Sequence, residues 1–475
     1  MTDTQQTIKS GSWRLRPGEA RLILLVGDLV VAFAALIVAL YIWGIQDEWL
    51  EFSLSFLRER VQPWFYLLPL AWLVMLVDVY DLHRANNWRA TLTGIAIAAL
   101  VGAGLYALVY LVSPPESLPR IGVGIFLICA FVLTMIWRML YIRIFTAPTF
   151  MRRVLIIGAG VAGATLLEAY HSLDPAPFHL IGFIDDDPAK IGTRLGGHPI
   201  LGNSSQLMDF VETESVSDIV VAISGEMRGD TFQTILDAQD RGIEITPMPS
   251  MYEELLGRVP IHHLESDWVL RSFVVEARVS RFYEVGKRLL DILVGLFGLT
   301  LFIITFPMIA LAVLCDSGLP ILYSQTRSGK GVRTYRILKV RTMRQDAEAD
   351  GKVRVTQRKD KRITRVGKLL RLTHLDEFPQ FWNVLRGEMS LIGPRAERPE
   401  LVIEYEKQIP FYRARLLVKP GITGWAQINY GYVSTIEETA MKLEYDLYYI
   451  KHRSLLMDGV IALRTFGQML GFRGR

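Results

Sequence analysis

Two cysteines in 475 residues are too few for a disulfide framework, and both, Cys129 and Cys315, lie inside apolar segments. The chain also lacks a signal-peptide pattern, because its first apolar run has no small-residue cleavage site and further runs follow. No nucleic-acid recognition module is readable, so the basic stretches imply no nucleic-acid partner. One region is short of acids. Between Arg327 and Arg371 stand 16 Lys/Arg against four acids, Asp346, Glu348, Asp350 and Asp360, an asymmetry hidden by the net charge of +4.

Apolar residues are plentiful, at 51% of the chain, and they are clustered. Four runs reach membrane-spanning length: about Leu22–Trp43, Trp64–Tyr80 (the shortest), Thr91–Val112 and Gly122–Ile142. They predict a four-helix transmembrane bundle over residues 1–150. Cations mark one side of it: Lys9, Arg14, Arg16 and Arg21, then Arg84 and Arg89, then Arg143, Arg152 and Arg153. The other loops hold Asp47, Glu48, Glu51 and Glu116, so both ends of the bundle are expected in the cytoplasm. Asp28 lies inside the first span, and an intramembrane acid is a functional candidate by default. It stands about two turns from the cytoplasmic end, so a structural hydrogen bond within the bundle is the expectation.

Over residues 151–280 the pattern becomes α/β. Arg153–Ile157 reads as a buried strand, followed by Gly158, Gly160 and Gly163 in GxGxxG spacing and a helix over Ala164–Ser172. A second strand, His179–Ile184, ends at Asp185, and Asp218–Ile223 and Ile243–Pro247 read as later strands. This is the fingerprint of a Rossmann-like domain: turn glycines, then an acid for a ribose. A lone GxGxxG is weak evidence of an occupied site, so a scaffold that kept its turn glycines is preferred to bound NAD or nucleotide. Tyr283 and Lys287 match the Tyr-x-x-x-Lys pattern of nucleotide-sugar dehydratases and epimerases. A helix entering lipid just afterwards argues against that chemistry.

Ile292–Cys315 is a run of 24 residues without a charge, long enough for a fifth span. Cations flank it on both sides: Lys287 and Arg288 before, and Arg327, Lys330, Arg333, Arg336, Lys339, Arg341 and Arg344 after. Both ends then belong in the cytoplasm. Pro307, near the middle, removes a helix hydrogen bond. A helix over about 287–316 that enters, bends at Pro307 and returns satisfies both length and charge.

The acids Asp376 and Glu377 stand at the start of an apolar helical pattern, Phe378, Phe381, Trp382, Val384 and Leu385. Free N–H groups at a helix start favour anions there. The same pair also fits a capping arrangement, Thr373-x-x-Asp376. Lys442–Phe472 reads as amphipathic helices, either at the membrane interface or closing a soluble core.

Ordered motifs fill residues 281–475: Lys287-Arg288 with Asp291, Gln325-x-Arg327-x-Gly329, Lys339-Val-Arg341-Thr-Met343 and Arg362-Ile-Thr-Arg365-Val-Gly367. Leu375-Asp376-Glu377-Phe-Pro379-Gln380-x-x-Asn383, Met389-Ser-Leu-Ile-Gly393-Pro394-Arg395 and Lys419-Pro420-Gly421-Ile-Thr423-Gly424 complete them. In this order they resemble the bacterial sugar transferases, the monotopic phosphoglycosyl transferases, and the whole chain resembles the large polysaccharide-initiating members. Ala396 stands where many members carry a second proline.

The resemblance implies an α/β monotopic catalytic domain with a re-entrant membrane helix, in the bacterial inner membrane. It implies transfer of a hexose 1-phosphate from a UDP-sugar to undecaprenyl phosphate, with release of UMP. Asp376 then becomes the nucleophile, forming an aspartyl phosphosugar, and Glu377 the Mg²⁺ partner. Lys339, Arg341, Arg362 and Arg395 lie in the family's motifs and suit substrate phosphates. The remaining cations suit anionic lipids, at roughly 1 kcal/mol each near the surface. Large relatives suggest a homodimer, and sugar choice is expected around Tyr430–Ser434. The competing reading is a catalytically idle membrane scaffold recruiting polysaccharide enzymes.

Overall fold

The computed structural model describes residues 17–470 apart from 48, 50, 81–84, 114–118, 146–150, 226, 265–271, 274–278, 346–359, 361 and 432–434. Lys9, Arg14, Arg16, Glu48, Arg84, Glu116, the acids at 346, 348 and 350, and sugar-loop residues 432–434 lie outside the described residues. Two compact units emerge, Met1–Met251 and Tyr252–Arg475.

In the first unit, three helices among the described residues are long and apolar enough to cross a bilayer: α1 (Pro17–Ile45), α3 (Trp88–Val112) and α4 (Arg120–Phe145). The second expected span is built differently. An eight-residue helix, α2 (Leu68–Met75), stands between 3-10 turns Pro63–Leu67 and Val77–Tyr80. Pro63 and Pro69 cause this, since a ring without an N–H favours the first turn of a helix and interrupts its interior. Trp72 of α2 is fully buried and donates from Nε1 to Thr134 Oγ1 at 3.0 Å. Asp28 has the structural role expected of it. Arg138 of α4 donates from Nη2 to Asp28 Oδ2 at 2.6 Å and from Nε to Oδ1 at 3.2 Å, both residues being fully buried.

The same unit carries a six-stranded sheet in the order β3-β4-β2-β1-β5-β6. The strands are β1 (Arg153–Ile157), β2 (His179–Ile184), β3 (Arg194–Leu195), β4 (His198–Gly202), β5 (Asp218–Val221) and β6 (Glu244–Pro247). All pairings are parallel except β3 with β4. The runs read as strands in the sequence are all present, and Leu155, Ile157, Ile184 and Ile219 form the core beneath them. Helix α5 (Val161–His171) follows the glycine turn. Gly158 is at φ +105°, and a Cβ there would lie 2.6 Å from the Ala222 carbonyl oxygen, so only glycine fits.

The second compact unit starts at Tyr252, so it takes in residues ahead of 281. The reason is packing: Val259 and Ile261 are buried with Leu443, Leu447 and Ile450. Its dominant element is helix α8 (Arg281–Ser317), 37 residues, started by the Ser280 side chain and running through Pro307. Between α5 and α8 lie α6 (Leu207–Thr213) and α7 (Gly229–Asp240) of the first unit. After α8 come the antiparallel pair β7 (Leu322–Ser328) and β8 (Thr334–Val340), then α9 (Arg365–Leu372) and α10 (Gln380–Arg386). The parallel pair β9 (Ser390–Ile392) and β10 (Gly421–Thr423) precedes α11 (Ile436–His452) and α12 (Leu455–Leu470). Leu443, Leu447, Tyr449, Ile450, Met457 and Ile461 are buried, so the last two helices close the core of this unit, while Leu455, Leu456 and Phe466 stay exposed.

One face of α8 is apolar and exposed (Leu289, Leu293, Phe297, Ile304, Met308, Leu311). The opposite face is docked from end to end. Lys287 bonds Asp458, Asp291 accepts from Ser390 Oγ and the Leu391 N–H, and Phe302, Ile309 and Val313 share a core with Val340 and Leu370.

Candidate active site

Helix α9 ends at Thr373, whose hydroxyl bonds back to the Leu369 and Leu370 carbonyls. The capping role considered for Thr373 is therefore not the one it plays. His374 then takes φ +57°, a left-handed conformation that costs energy in a residue with a Cβ. That kink turns the chain into a 3-10 turn, Leu375–Glu377. Asp376 and Glu377 thus lie a turn before α10 rather than on its first residues, because Pro379 stands between them and Gln380.

Within this turn the two acids differ. Glu377 Oε1 accepts from Lys339 Nζ at 2.9 Å and from Arg395 Nη2 at 2.8 Å. Asp376 is 7% exposed, and its carboxylate accepts no hydrogen bond from the described residues. Burial first, and then the charge of Glu377, push the Asp376 carboxyl up to about 6, against Lys339, Arg371 and Arg395. Burial likewise holds the Lys339 ammonium below its ordinary value, with Glu377 opposing. The result is an uncommitted buried carboxylate beside a committed one, among cations.

The cations are supported from behind. Asn383, fully buried, fixes the strand that carries Lys339: its Oδ1 accepts from the Leu338 N–H at 3.1 Å and its Nδ2 donates to the Arg336 carbonyl at 2.9 Å. The Arg395 backbone is held by Arg415, whose Nη2 donates to its carbonyl at 2.9 Å, and by a bridge to Gly421. Arg327 holds the next carbonyl, that of Ala396, at 3.1 Å. Glu397 anchors the loop to Lys442 at 2.7 Å, and Lys442 and Arg415 keep its carboxyl down at about 2 despite burial. Ala396 is buried where a proline was the alternative.

Of the residues singled out in the sequence, Asp376, Glu377, Lys339 and Arg395 come together. Arg341 donates from Nη2 to the Ser317 carbonyl at 2.7 Å and to the Gly318 carbonyl, at the end of α8. Arg362 pairs with Asp360 at 2.6 Å. Pro307 sits inside α8. In the first unit Asp185 Oδ2 accepts from the Ala159 N–H at 2.8 Å and from Lys190 at 3.0 Å, tying the acid to the Gly158–Gly163 turn. Arg371, counted with the cations suited to anionic lipids, is among those acting on Asp376, with its Nε on Thr342 Oγ1 at 2.9 Å. Its place in the turn of α9 just before the acid pair is the signal that could have found it.

The pattern of the bacterial sugar transferase family matches residues 282–471, and that of a CoA-binding domain matches 75–249. A UDP-N-acetylgalactosamine-undecaprenyl-phosphate N-acetylgalactosaminephosphotransferase of Aeromonas hydrophila is 41% identical over 234 residues. That match covers 49% of this chain and 54% of the relative, about half its length. A UDP-glucose:undecaprenyl-phosphate glucose-1-phosphate transferase of Xanthomonas campestris is 28% identical over 423 residues, 84% of each chain. Another so described, from Caulobacter vibrioides, is 40% identical over 190 residues, 39% of this chain and 70% of that one. The apolar helices and these bacterial relatives make this a membrane-bound bacterial protein. It is an enzyme of the sugar-phosphate transferase type, and the chain belongs to the bacterial sugar transferase family.

Proposed function

We propose that the protein transfers a hexose 1-phosphate from a UDP-sugar to undecaprenyl phosphate, with Asp376 as the covalent carrier. The observation that carries this is the contrast within the turn. Glu377 is engaged by Lys339 and Arg395, while Asp376 is buried, unbonded and beside the same cations. An Asp376 carboxylate oxygen attacks the sugar-bearing phosphorus, the bond to the UMP oxygen breaks, and UMP leaves with the electron pair. A phosphate oxygen of the lipid then attacks the same phosphorus, and the bond to Asp376 breaks, restoring the carboxylate. Lys339, Arg371 and Arg395 offset charge on the transferring group, and Arg395 can present two donors to it. Arg341, on the Ser317 and Gly318 carbonyls, and Arg362, on Asp360, stand outside this set of cations.

A magnesium ion fits the donor set. One buried carboxylate that accepts no hydrogen bond from the described residues stands beside another. Mg²⁺ favours one or two carboxylates plus substrate phosphates. Asp376 and Glu377 would hold it, and when bound it would neutralise charge on the phosphates.

Both ends of α8 dock on one soluble domain, at Asp458, Ser390 and Leu391 near the start and at Val366 near the end. A helix of about 55 Å crossing an apolar layer of about 30 Å cannot keep both ends on one domain. We therefore read α8 as re-entrant about Pro307, lying at the cytoplasmic face of the inner membrane. The parallel sheet is read as a Rossmann-like scaffold whose Asp185 serves its own glycine turn, rather than as a site for NAD or nucleotide. Polysaccharide initiation is the role that fits this reaction.

The test is UMP release from UDP-sugars by the purified protein with undecaprenyl phosphate and magnesium. Turnover that stops in Asp376→Asn, with a phosphosugar adduct trapped on the parent protein at Asp376, supports the proposal. Undiminished turnover in Asp376→Asn overturns it. Absence of any turnover favours the idle-scaffold alternative.

A further inference from the structure

The nucleophile turn stands between two short helices, α9 before it and α10 after it, and α8 closes the outer end of each. At the C-terminal end of α10, Arg288 donates from Nη1 to the Val384 carbonyl and from Nη2 to the Leu385 carbonyl, each at 2.7 Å. At the N-terminal end of α9, the Val366 N–H donates to Asp316 Oδ2 at 3.0 Å. A cation on free carbonyls and an anion on a free amide are the signs that helix ends favour. The two clamps lie near opposite ends of α8, 28 residues apart in sequence.

Between the clamps the contact is apolar and close. Leu370, Leu375 and Phe378, which flank the acid pair, share a core with Phe302, Ile309 and Val313. The Phe381 ring fills a notch at Gly298, where an added Cβ would come within 2.4 Å of it. Asp291 makes a third attachment, through Ser390 and Leu391, to the strand leading to Arg395. Every backbone segment bearing Asp376, Glu377 or Arg395 is thus fastened to the membrane helix.

We propose that Arg288 and Asp316 are positioning residues for the transfer, so that the lipid-seated α8 sets where Asp376 lies. The inference rests on the reaction proposed above. Neither side chain touches the acid pair; each acts through the helix end it closes. Arg288 suits its post because a guanidinium reaches two carbonyls in parallel, which an ammonium cannot do. Lipid conditions that displace one end of α8 would therefore reach the chemistry through these clamps.

The experiment uses the full chain in lipid nanodiscs, with Arg288→Ala, Asp316→Ala, their combination, Arg288→Lys and Asp316→Asn. UMP release gives kcat and the donor KM, and hydrogen exchange read by mass spectrometry follows residues 365–386 against 436–452. Each alanine is expected to lower kcat about 10-fold and the pair about 100-fold, as for a nucleophile misplaced by about 1 Å, with a much smaller change in KM. Exchange should rise over 365–386 alone. Asp316→Asn, which keeps an acceptor oxygen, should recover most of the rate, and Arg288→Lys only part.

Alanine variants that are folded and keep kcat within about twofold overturn the proposal. So does a loss of rate matched by a loss of folded protein, with exchange rising throughout the chain. If the parent releases no UMP, the proposed reaction fails, and exchange over 365–386 alone then decides whether these residues hold the turn.

Discussion

At the scale of residues, the two acids differ in their partners: Glu377 is held by Lys339 and Arg395, and Asp376 accepts no hydrogen bond from the described residues. Burial pushes the Asp376 carboxyl up to about 6 in the metal-free protein, and a protonated acid cannot attack, so transfer should fall as the pH drops through the acidic range. Single-turnover UMP release across pH 5–8 checks this; a profile flat down to pH 5 would contradict it. Stability should run the other way. A carboxyl raised by folding favours the folded state at low pH, a contribution lost as pH rises through 6. Asp376→Asn should therefore abolish transfer yet stabilise the metal-free protein by on the order of 2 kcal/mol at pH 8. The gain should vanish below about pH 4, measurable by thermal unfolding in chelator. Asp376, Glu377, Lys339 and Arg395 were legible in the sequence because each sits in a fixed motif. Arg341 and Arg362 sit in motifs too, but an arginine fork serves carbonyls and carboxylates as readily as phosphate, and only coordinates show that they meet Ser317 and Asp360.

At the scale of elements, strands were easier to read than their surroundings. The runs at 153–157 and 179–184 are apolar and β-branched, and both are parallel strands as expected. The run at 64–80 looked like one span, but Pro63 and Pro69 divide it into turns and a short helix. The acid turn was placed one turn too late because apolar periodicity does not register a left-handed His374. The loop carrying Arg395 owes its shape to ion pairs that no local pattern reveals. Arg415, 3% exposed, lies 2.8 Å from Asp446 and holds the Arg395 carbonyl. Arg415→Ala would leave Asp446 buried without its partner, and should destabilise the second unit by about 3–5 kcal/mol. Denaturant unfolding followed by tryptophan fluorescence reads this, and a loss below about 1 kcal/mol would show the network to be slack.

At the scale of the whole molecule, the length of the apolar run 292–315 and the charge around it predict different things. Flanking cations on both sides of 292–315 pointed to a helix that returns, and its docking along one domain supports the same reading. In a chain with Cys129 and Cys315 replaced, single cysteines at Arg281→Cys and Leu319→Cys should react with an impermeant maleimide from the same side of inverted vesicles. Reaction from opposite sides would rule out the return. The extent of the docked face was not legible, because one stripe of leucine and phenylalanine looks alike whether it meets lipid or protein.

That docked face has a consequence for how the protein is made. Phe302, Ile309 and Val313 are core residues shared with Val340 and Leu370, so the helix is a wall of the catalytic fold as well as its tether. Residues 318–475 leave the ribosome after it and complete that core only by packing against it. A chain that kept this helix away from residues 318–475 would leave their core open, so loss of the helix should cost the fold of the second unit and not its attachment alone.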